Sequence, residues 1–89
     1  MKYDIYKYEL KTMITELELP YGSQILKAGI QNERDIFLWI QVPTENRETV
    51  YRRFYLEPTG VEVDDKLKYV DTVFEDGGKL AWHIYEKIN

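Results

Sequence analysis

Tyr51, Arg53 and Tyr55 alternate along one side of a predicted strand, and Arg52 lies between them on the other. Guanidinium groups flanked by aromatic rings can hold a planar anion by stacking and paired hydrogen bonds, and a nucleotide fits that description. An exposed strand on which tyrosine covers apolar surface and arginine supplies solubility has the same composition. The chain's one imidazole, His83, completes the candidate ligand-binding set of Tyr51, Arg52, Arg53, Tyr55 and His83.

Other reactive groups are sparse. There is no cysteine, so thiolate chemistry and disulfides are excluded. The lone serine, Ser23, follows a turn without the strand–turn–helix context of a nucleophile elbow, which makes a Ser23–His83 pair a poor catalytic candidate. Asp64-Asp65 and Glu75-Asp76 are neighbouring carboxylates. Adjacent strand residues face opposite ways, so each pair could converge on a cation only in a loop. One histidine gives no metal-ligand spacing, and no glycine-rich phosphate loop is present. No catalytic residue, metal or cofactor is expected, and the chain is expected not to be an enzyme.

The elements that must position these residues are strands. The 89 residues suit one domain (1–89), with 44% hydrophobic residues and thirteen aromatic ones. A chain this small gains from oligomerisation. The stretch 34–42 sets Ile36, Leu38, Ile40 and Val42 on one side and Phe37 and Trp39 on the other. Apolar on both sides, it is expected to be buried on both and central in a sheet. Trp39 and Trp82 are expected in the core.

Alternation predicts further strands over 3–9, 12–19, 23–31, 50–57, 69–76 and 80–88. In the third, Ile25, Lys27 and Gly29 oppose Leu26, Ala28 and Ile30. In 69–76, Val70, Thr72 and Phe74 oppose Tyr69, Asp71, Val73 and Glu75. The small pair Ala28-Gly29 would let a neighbouring ring lie close to the backbone. Leu19-Pro20-Tyr21-Gly22 and Glu57-Pro58-Thr59-Gly60 have the proline-second, glycine-fourth pattern of a type I turn. Asn32-Glu33 suits a short hairpin. Asp76-Gly77-Gly78-Lys79 suits a type I′ turn centred on the two glycines. Residues 43–49 read as a mobile loop, 61–68 as an acidic loop or one helical turn, and 86–89 as a fraying end. The expected fold is all-β: about seven short, mainly antiparallel strands in a small sandwich or partly open barrel, with at most one helical turn near 62–68.

The net charge of −4 opposes non-specific nucleic-acid binding. No apolar run reaches the roughly 20 residues of a membrane span, and the charged opening Met1-Lys-Tyr-Asp-Ile is not expected to act as a signal peptide. Charge is uneven. Six acids and two lysines lie in 61–76, while three arginines and one acid lie in 47–53. Two solvated faces of opposite sign would explain this.

Leu19-Pro-Tyr-Gly-Ser-Gln-Ile-Leu26, Phe37-Leu-Trp39, Thr59-Gly60, Tyr69-Val-Asp-Thr72 and Gly77-Gly-Lys-Leu-Ala-Trp-His-Ile-Tyr-Glu86 resemble the signature of small uncharacterised phage and prophage proteins, a domain of unknown function. The likeness runs from Ile5 to Glu86. The chain departs from that pattern at Gln41-Val42-Pro43-Thr44 and at Asp71. The resemblance implies a phage accessory protein acting in the host bacterial cytoplasm. Three functions remain open: a binding protein that inhibits a host protein in a counter-defence role; an oligomeric sponge for a small anionic, nucleotide-like signal; or a minor virion structural or assembly protein. In each, a homo-oligomer is expected.

Overall fold

The computed structural model describes residues 1–45 and 48–87. Seven strands follow one another: β1 (Tyr3–Glu9), β2 (Ile14–Pro20), β3 (Gln24–Gln31), β4 (Asp35–Pro43), β5 (Thr49–Pro58), β6 (Leu67–Glu75) and β7 (Leu80–Lys87). They form two antiparallel sheets, β1-β4-β3 and β2-β5-β7-β6, which do not close into a barrel. Among the described residues there is no helix. The acidic stretch before β6 is a turn built on Asp64, whose Oδ1 accepts from Lys66 N–H at 2.8 Å and whose carbonyl accepts from Leu67 N–H at 3.1 Å.

One core joins the sheets. Ala28, Ile36, Leu38, Ile40 and Val42 come from the first sheet, and Leu19, Phe54, Leu56, Val73 and Ile84 from the second. Burial of these branched and aromatic side chains is the main force holding the layers together. β4 is central as its composition requires, but it is buried on one side only. Phe37 and Trp39 point away from the second sheet and are half-buried, with Lys7 Nζ 4.6 Å from the Phe37 ring centre. Three strands do not make a third layer, so side chains of the same sheet cover these rings. Trp82 is also half-buried rather than enclosed. It packs against the core and donates its Nε1–H to Glu75 Oε1 at 3.0 Å.

Two bulges correct the expected alternation. The β3–β4 register shifts between Ile25 and Lys27, and the β6–β7 register shifts between Tyr69 and Asp71. An inserted residue flips the side-chain parity beyond it. Ile25 thus shares the inner face with Ala28 and Ile30, while Tyr69 joins Thr72 and Phe74 on the outer face. The bulged strands face one another across the open side of the sandwich, where Ala28 N–H donates to Asp71 Oδ2 at 3.0 Å.

The turns are also shifted by one residue. Ser23 N–H bonds the Pro20 carbonyl at 3.1 Å, and Gly22 has φ +89°. The turn is therefore Pro20–Ser23 with glycine third, where positive φ demands it. Gly60, at φ +92°, repeats this after Pro58. At the last hairpin Gly78 N–H bonds the Glu75 carbonyl at 3.2 Å, which centres the turn on Asp76 and Gly77, both at positive φ. Asn32 and Glu33 both take positive φ, as a two-residue hairpin needs. Of the expected loop 43–49, Asn46 and Arg47 lie outside the described residues, as do Ile88 and Asn89. Glu86 does not fray, because it is tied to Arg52.

Candidate functional site

β5 sorts the candidate residues by parity. Its inner members, Arg52, Phe54 and Leu56, pair with Leu17 and Thr15 of β2 and with Glu86 and Ile84 of β7. Its outer members, Tyr51, Arg53, Tyr55 and Glu57, belong to the solvent face of the four-stranded sheet. His83 pairs with Glu57 and lies on that same outer face. Tyr51, Arg53, Tyr55 and His83 therefore share the outer face, but His83 stands opposite Glu57, six residues along β5 from Tyr51. Arg52 belongs to the inner face, and it lines a small open cleft of about 240 Å³ with Tyr51 and Arg53.

Cross-strand registry builds a row on the outer face. Ile14 pairs with Tyr55, Tyr55 with Tyr85, and Tyr85 with Tyr69, one residue from each of the four strands. Directly opposed side chains stand close enough to pack, and Tyr69 meets Tyr85 edge-on with ring centres 5.6 Å apart. Ile14 and Tyr69 are exposed, and so is Tyr51 at 64%, which pairs with Glu18 four residues along β5 from Tyr55. Arg53 donates to Glu16 Oε2 at 3.2 Å. Its contact with the Tyr55 hydroxyl first, and with Glu16 second, holds the guanidinium pKa above its ordinary value.

His83 is committed to structure. Its Nε2 is 2.8 Å from Thr59 Oγ1 and its Nδ1 is 3.0 Å from Thr72 Oγ1, which in turn lies 2.7 Å from the Tyr69 hydroxyl. The chain Thr59–His83–Thr72–Tyr69 locks ring orientations across the sheet. Ser23 stands apart from it, with its hydroxyl donating to the Pro20 carbonyl at 2.6 Å. Among the described residues no three His, Asp or Glu side chains converge as a metal site.

Arg52 is bound on every side. Nε and Nη2 donate to the two Glu86 oxygens at 2.5 and 2.7 Å, and Nη1 donates to the Ser23 carbonyl at 2.7 Å. This fork-to-fork pair floors an open cleft of about 380 Å³ between β3 and β6, rimmed by Lys27, Lys68 and Asp71. With Arg52 and Arg53 each already facing a carboxylate, neither guanidinium offers an unpaired cation to an anionic ligand.

Alternation along β5 was enough to find Tyr51, Arg53 and Tyr55. Tyr85 could have been added from its shared parity with His83. Ile14 required the strand register, and Tyr69 required the bulge.

The chain belongs to the family described as Domain of unknown function (DUF7352), whose model matches residues 1–89. No curated protein and no solved structure matches it. No helix among the described residues is long and apolar enough to cross a membrane.

Proposed function

We propose that this member of the family is a binding protein without catalytic activity, and that the outer face of the β2-β5-β7-β6 sheet docks a protein partner. The row Ile14–Tyr55–Tyr85–Tyr69, with Arg53 next to it on the same face and Tyr51 further along β5, carries the reading. Tyrosine and arginine are the side chains that concentrate binding energy at protein interfaces, since they offer large contact area and a polar tip. Four hydrogen-bonded strands hold them in place, so little ordering cost remains to be met on docking.

The geometry favours a protein over a small anion. Small ligands need concave sites that bury most of their surface, whereas this face is one side of a sheet and its arginine is occupied by Glu16. The resemblance to phage and prophage proteins supplies the setting, an accessory protein in the bacterial cytoplasm with a host protein as target, in keeping with a role against host defence. Native mass spectrometry of the chain recovered from bacterial lysate tests the reading. An added mass of a different protein is expected, distinct from the 10.7 kDa of a second copy of this chain. A retained nucleotide in its place would overturn it and favour the sponge.

A further inference from the structure

The sandwich has four edge strands, and three are guarded. In β2, Leu56 N–H bonds the Met13 carbonyl and Tyr21 N–H bonds the Glu48 carbonyl. Bonded pairs alternate along an antiparallel ladder, so the backbone groups at the open edge of β2 belong to Ile14, Glu16, Glu18 and Pro20. Two carboxylates and a residue without N–H discourage pairing there. β3 and β6 are bulged, and they pack against each other through Ala28 and Asp71.

β1 has no proline and no bulge, and its one edge carboxylate, Glu9, stands at its last residue. Thr44 N–H bonds the Lys2 carbonyl at 3.1 Å and Leu10 N–H bonds the Ile36 carbonyl at 2.9 Å. The even-numbered residues therefore face β4, and Tyr3, Ile5, Lys7 and Glu9 turn their N–H and C=O groups to the open edge. The one lysine that could guard this edge is drawn away. Lys7 Nζ reaches back over Phe37 to Gln31 Oε1 at 2.7 Å. Both faces of the strand carry exposed apolar side chains, with Ile5 58% and Tyr6 51% exposed.

We infer that β1 is a self-pairing edge, on which a second copy of this chain adds its own β1 antiparallel, with Ile5 on the two-fold axis, to join two three-stranded sheets into one of six. A two-fold must keep each residue on its own face, so it passes through a residue position and not between two. With Ile5 on the axis, isoleucine meets isoleucine, Tyr3 meets Lys7 of the second copy, Asp4 meets Tyr6, and Lys2 meets Tyr8. No like charges are opposed, and each of these charged side chains faces a ring. Moving the axis to Lys7 would oppose two ammonium groups, which costs stability. This pairing is independent of the tyrosine face on the other sheet.

Sedimentation equilibrium of the full chain, with two substitutions, tests the pairing. Ile5→Pro removes an N–H that β4 does not use and blocks the open edge. The wild type is expected as a dimer at submillimolar concentration, and Ile5→Pro as a monomer with unchanged far-ultraviolet circular dichroism. Should Ile5→Pro fail to fold, Ile5→Lys replaces it and is also expected to be monomeric. On oxidation Ile5→Cys should cross-link within the dimer, since paired Cα atoms about 5.5 Å apart fall in the disulfide range of about 4.4–6.8 Å. Lys7→Cys should not, because its counterpart lies about 13 Å along the strand. A monomeric wild type, a dimer that persists in both Ile5→Pro and Ile5→Lys, or equal cross-linking at the two positions would overturn the inference.

Discussion

The indole of Trp39 lies on the backbone of Gly29, so close that a Cβ built on the glycine would stand 3.0 Å from Cζ3. A side chain at position 29 must therefore displace the ring. Gly29→Val should destabilise the fold by about 1–3 kcal/mol through overpacking, read from urea unfolding. The same change in a Trp39→Leu background should cost much less. Equal costs in both backgrounds would mean that the ring does not set the requirement.

Arg52 and Glu86 form a half-buried pair whose members depend on each other. Removing one leaves a charge in a place built for two, so Arg52→Leu or Glu86→Leu alone should cost about 3–5 kcal/mol. The double substitution should cost far less than the sum, because two apolar side chains of similar volume pose no desolvation problem. Additive single effects would show the pair to be independent charges at the surface.

Tyr8 sits on the inner side of β1, and burial, reinforced by Tyr6, raises its pKa above the usual 10.0. Its neutral form is favoured more in the folded chain than in the unfolded one. The resulting stability is whole below about pH 10 and is lost as pH rises through the folded value. Tyr8→Phe should flatten the alkaline limb of a stability–pH curve and leave the neutral region nearly level. An unchanged alkaline limb would contradict the shift.

Much of this fold was legible because alternation is a local property. Ile36, Leu38, Ile40 and Val42 declare a strand whatever surrounds them, and Gly29 beside Ala28 correctly signalled the approach of a ring. The bulges at Leu26 and Val70 were not legible, since an extra residue is defined only against a partner strand. The candidate site divided along the same line. Tyr51, Arg53 and Tyr55 follow from one strand's parity, whereas Ile14 and Tyr69 join them through registers that no single segment encodes. The pairing of Arg52 with Glu86 links residues 34 positions apart, and only the packed sheets reveal it.

The central claim is that the tyrosine face of the four-stranded sheet meets a protein. Site-specific photo-crosslinking in bacterial cells tests it most directly, with a benzophenone side chain placed in turn at Tyr51, at Tyr69 and, on the opposite sheet, at Gln41. The account predicts one discrete adduct with a protein other than this chain from Tyr51 and Tyr69, and none of that kind from Gln41, which pairs with Ile5 and so lies near the second copy. Adducts with another protein from Gln41 alone, or the same ones from all three positions, would contradict it.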